Sequence, residues 1–399
     1  MTFDKPFTRQ AQLPLDALHA AQRVLSSADL HRYQAADRGL GEVAALEQDY
    51  AAWQGAQFCL AVTSCGQAMQ LALRAVGVCP GDQVLTNGFT LAPVPGAICA
   101  VGAQPLLVDI TDDLVIDLVD LHAKARQSRA RVLLLSHMRG HLVDMDKVCA
   151  IARDLKLTVI EDCAHTMGAT WRGTKSGNFG RIGCFSTQSY KHLNSGEGGL
   201  LTTDDPDVMA RAIIMSGSYM NYANHGAAPD ERYFDNPKYD CPNMSARMDM
   251  LRAAILRPQL AKLDHAVDRW NKLCAVVAKG LEPLSAIKVP KHANSARRVG
   301  SSIQFRVPDF TAKDCQSFVL RSQERGVVVK WFGDTAPVGY TSNYTQWRYV
   351  SSQSLPQTDA ALSTLFDMRI PLTFDIADCE VIANILCEVA QETLSEVHN

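Results

Sequence analysis

The sequence predicts an α/β fold followed by a smaller α+β portion, and three features carry that prediction. From residue 57 short apolar runs alternate with helix-like segments. Several of these runs end in a polar or ionisable residue. After about residue 250 the alternation gives way to a long helical stretch and a separate set of strands and helices. Strands of a parallel sheet are covered on both faces and read as short, continuously apolar runs, which is the pattern here.

Taken in order, the runs are FCLAV (58–62), QVLTN (83–87), QPLLVDI (104–110), RVLLLSH (131–137) and LTVIED (157–162). Between the first two lies GQAMQLALRAVGV. There Ala68, Met69, Ala72, Ala75 and Val76 follow the spacing of one buried helical face, and Gly77 and Pro80 mark its end. IGCFSTQ and GGLLTTDD are expected as further strands on either side of Lys191. Strand-helix alternation of this length implies a covered parallel sheet with right-handed crossovers.

MDMLRAAILRPQLAKLDHAVDRWNKLCAVVAKGL is expected as one long helical stretch bridging two domains. Beyond it SSIQFRV, GVVVKWF and MRIPLTF are expected as strands, with TAKDCQSFVLRSQERG and DCEVIANILCEVAQETL as helices. The expected division is a large domain, residues 1–255 with an N-terminal arm, and a small C-terminal domain, residues 256–399, that includes the bridging helix. No internal repeat is visible.

A chain of 399 residues exceeds what one core holds, so two domains are expected. A composition 47% hydrophobic and 20% charged excludes disordered and fibrous classes. The net charge of -3 gives no electrostatic reason to expect nucleic acid or an anionic membrane as partner. Twelve cysteines show no C-x-x-C pairing, and Cys99, Cys149 and Cys387 sit in apolar segments. They are read as reduced core thiols of a cytoplasmic protein. The opening MTFDKPFTRQAQLPLDAL has no basic start followed by an apolar stretch, so no signal peptide is expected, and no run is long enough for a membrane helix.

Ligands of open α/β sheets sit beyond the carboxyl ends of the strands. The first run ends in TSCGQAM, where Ser64, Cys65, Gly66 and Gln67 open a helix whose free N–H groups suit a phosphate, or where Ser64 is simply an N-cap. VIEDCAH places Asp162 at a strand end and His165 three residues on; an acid ending an apolar run either meets a positive group or caps the next turn. In LLLSHMRGHLVDMD, His137 and His141 have an H-x-x-x-H spacing, but Gly140 interrupts any helix and zinc needs three or four convergent ligands, so no metal is assigned. CFSTQSYKHLNSGEGGLLTTDD sets Lys191 between Ser186, Thr187, Gln188 and Ser189 and a glycine-rich turn. A lone lysine is usually a solvated charge. Combined with an anion site, a carboxylate and an imidazole at strand ends, it matches the needs of pyridoxal phosphate: a Schiff-base amine, a partner for the pyridine nitrogen and donors for the phosphate.

With these residues the chain resembles the DegT/DnrJ/EryC1/StrS family of pyridoxal-phosphate-dependent aminotransferases over nearly its whole length. The resemblance is most specific in IEDCAHTMGATWRGTKSGNFGRIGCFSTQSYKHLNSGEGGLLTTDD and weaker in TSCGQAMQLALRAVGVCPGDQVL, GAQPLLVDI, SARMDMLRAAILRPQL and LPQTDAALSTLFDMRIPL. It implies fold type I, with a mixed, mostly parallel sheet covered by helices. It implies Lys191 as the Schiff-base lysine, Asp162 facing the pyridinium nitrogen and His165 stacked on the ring. Ser186 and the backbone of Cys65 and Gly66 would hold the phosphate, with Gln188 beside the cofactor. It also implies a homodimer with shared active sites, in which Asn243 or Arg247 reaches the neighbour's site; the family usually places its Asn two residues before the Arg, whereas this chain reads NMSAR.

Three further positions depart from the family. Cys65-Gly66 stands for Gly-Thr, Leu91 for an aromatic residue and Gln188 for a frequent histidine, which points to an unusual substrate. The implied reaction passes an amino group from glutamate or glutamine to a keto-sugar, cyclitol or related ketone or aldehyde. VVVKWFGD and GSYMNYANHG are expected to shape the acceptor pocket. Two alternatives remain. One is a pyridoxal-phosphate lyase or dehydratase, against which Lys191 stands because the family's dehydratases carry histidine there. The other is a non-catalytic ligand-binding regulator, against which the full set of Lys191, Asp162 and His165 stands.

Overall fold

The computed structural model describes residues 1–34, 41–340 and 343–397. Its first part runs α1 (Leu15–Ser27), α2 (Glu42–Gln54), β1 (Phe58–Val62), α3 (Cys65–Ala75), β2 (Gln83–Asn87), α4 (Pro93–Ala100), β3 (Gln104–Val108), α5 (Leu118–Gln127), β4 (Val132–Ser136), α6 (Met145–Asp154) and β5 (Thr158–Asp162). A short hairpin, β6 (Thr170–Trp171) and β7 (Thr174–Lys175), precedes β8 (Ile182–Ser186), β9 (Gly199–Thr203), α7 (Pro206–Ile213) and α8 (Pro237–Asp240). The remainder is α9 (Met250–Leu260), α10 (Leu263–Leu281), β10 (Ala296–Arg297), β11 (Ser302–Arg306), α11 (Ala312–Glu324), β12 (Lys330–Trp331), α12 (Pro356–Leu362), β13 (Leu365–Arg369) and α13 (Ile376–Val397).

Helix starts are written locally. Ser64 accepts from the N–H of Gln67 at the head of α3, Asp117, Asp144 and Asp205 do the same for α5, α6 and α7, and Thr311 with Asp314 forms a capping box on α11.

The seven runs expected as strands in the first half all pair into one sheet, in the order β1-β9-β8-β5-β4-β2-β3. The pairs from β3 to β8 are parallel, while β9 runs antiparallel to both β8 and β1. The sheet is therefore mixed and mostly parallel. The reversal accompanies the loop 187–198 between β8 and β9, which holds no helix and turns the chain directly back beside β8. Helices α3, α4 and α7 bury one face of the sheet around Leu60, Met69, Ile160 and Met209. The other face is covered around Tyr50, Phe185 and Leu256 and around Leu133, Leu135 and Val148.

The long helical stretch is two helices. Pro258 lies inside α9 and removes a backbone donor, and the helix ends two residues later at Leu260 before α10 begins at Leu263. Helix α10 still joins two cores: Val267 and Trp270 pack with the large sheet, Leu273, Val277 and Leu281 with the C-terminal residues. There β11, β13 and β12 form a three-stranded sheet. Its last strand is LFDMR rather than MRIPLTF, because Pro371 cannot donate to a ladder. Of GVVVKWF only Lys330–Trp331 pairs. The N-terminal arm crosses to this region, where Phe3 and Phe7 stack edge-on against Phe374.

Among the described residues no helix is long and apolar enough to cross a membrane. All twelve cysteines are unpaired; Cys99, Cys149 and Cys387 lie at the margins of buried helical faces, half-buried rather than in the core. A buried ionic cluster ties the arm to the sheet. Arg32 makes two 2.9 Å hydrogen bonds to Glu47, and His225 lies 3.2 Å from the same carboxylate. Burial raises the Glu47 pKa, but Arg32 and His225 outweigh it and hold it at about 2.

Candidate active site

A cavity of about 350 Å³ opens beyond the carboxyl ends of the central strands. It is lined by Ser64, Cys65 and Gly66 after β1, Ser136 ending β4, Asp162 ending β5, Ser186 ending β8, and His165, Gln188 and Lys191 from the following loops. Seven of the nine residues that the family resemblance implies around the cofactor thus line one cavity.

Lys191 is presented by a closed loop. The N–H of Thr187 donates to Gly198 O at 3.0 Å, that of Ser195 to Thr187 O at 2.9 Å, and that of Lys191 to Gln188 O at 2.8 Å. Gly196 turns this loop with a φ of 81°, a value that favours glycine. The Lys191 Nζ lies 3.1 Å from Nε2 of His165. Burial, then the charge of Arg139, lowers the Lys191 pKa to about 8, against the opposing pull of Asp162 and Cys65. Burial and the lysine beside it push His165 well below the usual histidine range, so its ring is neutral and can accept from Nζ.

Asp162 is held by a relay the sequence reading did not single out. Ser136 sits in register beside it and donates to Oδ2 at 2.9 Å, while the Ala164 N–H donates to Oδ1 at 3.1 Å. Thr90 Oγ1 in turn donates to Ser136 Oγ at 2.8 Å, and the Asn87 amide brackets the Ser136 backbone at 2.9 and 3.0 Å. The signal was present, since QVLTN and RVLLLSH both end in polar residues. The Cys65 thiol faces the same carboxylate, 3.9 Å from Oδ1.

At the opposite end, the N–H groups of Cys65 and Gly66 precede the first intrahelical bond of α3, from Ala68 N to Ser64 O at 3.0 Å. Ser186 Oγ accepts the Gln188 N–H at 3.3 Å, and Gln188 Oε1 accepts that of Tyr190 at 2.9 Å. Gly199 lets β9 pass close to this turn: a Cβ there would stand 2.3 Å from the Ser64 carbonyl carbon.

Asn243 and Arg247 are not in this cavity. Asn243 Oδ1 accepts from the Ser245 N–H at 2.8 Å, and Arg247 donates to Gly217 O. The segment GSYMNYANHG does not line this cavity, whereas VVVKWFGD lines a neighbouring one that Lys191 also borders.

Glu161, one residue before Asp162, points to the other side. It takes the N–H groups of Gly177, Phe179 and Gly180 at 2.7 to 2.9 Å, and His137 at 2.9 Å. Burial raises its pKa, but His137 and these N–H groups hold the carboxyl below its ordinary range. With Cys163 these two side chains form a compact group of potential ligand atoms, yet both Glu161 oxygens are already engaged. His141 Nε2 meets Gln304 instead, at 2.8 Å.

The donor set fits pyridoxal phosphate. One neutral imidazole wall, one amine of depressed pKa, one carboxylate fixed by two donors and a helix start with free N–H groups surround a single cavity.

Residues 23–386 match the family described as the DegT/DnrJ/EryC1/StrS aminotransferase family. The chain is 32% identical over 252 residues to the spore coat polysaccharide biosynthesis protein SpsC of Bacillus subtilis, covering 62% of this chain and 64% of that protein, just under two thirds of its length. It is 29% identical over 296 residues to the 3-amino-5-hydroxybenzoate synthase of Amycolatopsis mediterranei, covering 72% of this chain and 73% of that one. A crystal structure of 3-amino-5-hydroxybenzoic acid synthase superposes with a TM-score of 0.83 at 25% identity, over 97% of this chain and 99% of that chain. The fold is that of the fold type I pyridoxal-phosphate enzymes, and the chain belongs to the DegT/DnrJ/EryC1/StrS aminotransferase family.

Proposed function

We propose that the protein is a pyridoxal-phosphate-dependent aminotransferase that takes an amino group from glutamate or glutamine and delivers it to the carbonyl of a keto-sugar, cyclitol or related ketone. The observation that carries this reading is the Lys191 amine set against neutral His165 in the cavity that also holds the Asp162 carboxylate. A relative named for polysaccharide biosynthesis supports a sugar acceptor, and one named for 3-amino-5-hydroxybenzoate supports a carbocyclic one.

Pyridoxal phosphate, when bound, supplies an aldehyde carbon for an amine and a protonated ring that withdraws electrons from the substrate carbon. Lys191 Nζ, with a pKa of about 8, is neutral far more often than an ordinary lysine and can take a proton from that carbon and return it. Asp162 would face the ring nitrogen, with Ser136 and the Ala164 N–H fixing the orientation of its carboxylate. His165 offers a flat, uncharged wall and an acceptor for Nζ. Ser186 and the N–H groups of Cys65 and Gly66 would receive the phosphate, and Gln188 borders the same cavity.

Lys191 is the one cation on this cavity among the described residues, so a dianionic phosphate calls for another. We assign that role to a second copy of the chain, whose Asn243 or Arg247 would reach in. Exposed Leu15, Leu18 and Leu25 on α1 supply apolar surface for such a homodimer. The unpaired cysteines favour the reducing cytoplasm. A large cofactor-binding portion up to about residue 255 and a smaller C-terminal one complete the proposed organisation.

The test is spectroscopic. The purified protein should show visible absorbance that borohydride bleaches, and glutamate or glutamine should convert it to the pyridoxamine form. Bleachable absorbance without that conversion would point to a lyase. Screening keto-sugars, inososes and amino-acid-derived ketones against the pyridoxamine form then identifies the acceptor.

A further inference from the structure

Next to the Lys191 cavity lies a larger one of about 730 Å³, walled by the C-terminal sheet and also bordered by Lys191, Gln188 and Leu91. Its charges are unbalanced. Arg139, Lys330 and Arg369 face it together with Lys191, against Asp367 and Asp334. Lys330 pairs in register with Asp367, and Arg369 follows two residues along the same strand, so all three side chains share one sheet face.

Asp367 is already committed: Gln304 donates to Oδ1 at 2.7 Å, and Arg139 lies 2.6 Å from Oδ2. Asp334 Oδ1 accepts the Ala336 N–H at 3.1 Å within its own turn. Lys330 is left with the carbonyls of Val338 at 2.6 Å and Tyr340 at 3.1 Å and with the Tyr340 ring, 3.8 Å from its centroid. Arg369 donates to Tyr190 O at 3.2 Å and lies over the Tyr190 ring, 3.9 Å from its centroid. Among the described residues neither forms an ion pair with a carboxylate.

Both are nonetheless half-buried. Burial, opposed by Asp367, lowers Lys330 to about 8, and burial with the charge of Arg139 lowers Arg369 to about 10. Cations withdrawn from water without a counter-charge are costly unless a ligand supplies it. Arg139 reaches the wall from a backbone with φ of 54°, a conformation disfavoured for residues other than glycine and recurrent at functional positions.

We propose that Arg369 and Lys330, with the Arg139–Asp367 pair behind them, receive a carboxylate or phosphate group carried by the acceptor close to its reacting carbonyl. The tie from Arg369 to the carbonyl of Tyr190, the residue before Lys191, sets that proximity. Exposed Leu320, Val328 and Val338 on the same cavity offer an apolar surface for the rest of the molecule. This assignment rests on the aminotransferase reading and names the acceptor's chemical class.

The test is calorimetric titration of the cofactor-loaded protein with benzoate, phenyl phosphate and benzyl alcohol. At least one anion should bind about tenfold or more tighter than the alcohol, the worth of one charge-assisted hydrogen bond, and less tightly as salt rises. The tighter of the two distinguishes a carboxylate from a phosphate ester. Arg369→Gln should abolish the difference and Arg369→Lys should retain part of it; Lys330→Gln should weaken it independently if Arg369→Gln does not fold. Equal binding of all three probes, or an Arg369→Gln protein that binds as the parent does, overturns the proposal. So does an Arg369→Gln protein with a weakened glutamate constant, read at the visible band, since the wall would then serve the donor. Failure of the cofactor reading shows separately, as the absence of bleachable absorbance in the same sample.

Discussion

The 3.1 Å contact between Lys191 Nζ and His165 Nε2 joins an amine of lowered pKa to an imidazole that burial keeps neutral. The amine gains an acceptor without gaining a counter-charge, so the contact orients Nζ and leaves its basicity low. Lys191→Ala should therefore remove the visible absorbance and all measurable transamination. Since the substitution deletes a half-buried amine that has no ion pair, the melting temperature of the cofactor-free protein should stay within a few degrees of the parent, checked by circular dichroism.

The Ser136–Asp162 hydrogen bond makes a second prospect. Asp162→Asn removes the carboxylate proposed to face the ring nitrogen but can keep Ser136 and the Ala164 N–H in place. Cofactor capture should survive while the single-turnover rate with glutamate falls by about a hundredfold to a thousandfold, the usual scale for deleting one preorganised electrostatic group. An unchanged rate would remove the carboxylate from the mechanism.

Glu161 should behave in the opposite way. It closes the turn at residues 177–180 through three N–H groups and lies 2.9 Å from buried His137. Glu161→Ala should cost about 3–5 kcal/mol in urea unfolding, the scale for breaking a buried pair from one side. Its chemistry, per molecule still folded, should be preserved.

Gly199 sits where β9 passes the head of α3. Gly199→Ala would bring a Cβ within 2.3 to 2.5 Å of the Ser64 and Cys65 backbone, which cannot yield as a side chain tip can. The expected result is weaker retention of pyridoxal phosphate on dialysis together with a stability loss of about 1–3 kcal/mol.

Acid should destabilise the fold through buried imidazoles. Burial lowers His165 and His141 well below 6.5, and burial with the Lys191 charge lowers His192 to about 3. The folded values lie below the unfolded one, so the unfolded chain binds more protons below pH 6.5 and stability falls as pH drops. His192 alone should contribute a loss on the order of 2 kcal/mol between about pH 6.5 and about pH 5, measured from urea midpoints, and His192→Gln should flatten that slope.

Lys191, Asp162, His165 and the Ser64–Gly66 turn were legible because each stands within a few residues of a strand end, and strand ends in a covered sheet converge on one edge. The seven apolar runs gave the strands for the same local reason: continuous apolarity bounded by polar or glycine residues. The break at Pro258 and the early end of β13 before Pro371 were also written locally, in residues that cannot donate, and the reading overlooked them. What no local pattern carried was the pairing of distant groups. Ser136 and Thr90 support Asp162 across neighbouring strands, Gln304 and Arg139 occupy Asp367, and Phe3 packs against Phe374. Sequence alone determined the element types and the reactive side chains, since periodicity and chain-local capping are short-range. Only the tertiary structure decided which charges are answered and which face a cavity unpaired, because that depends on burial and on distances between residues hundreds of positions apart.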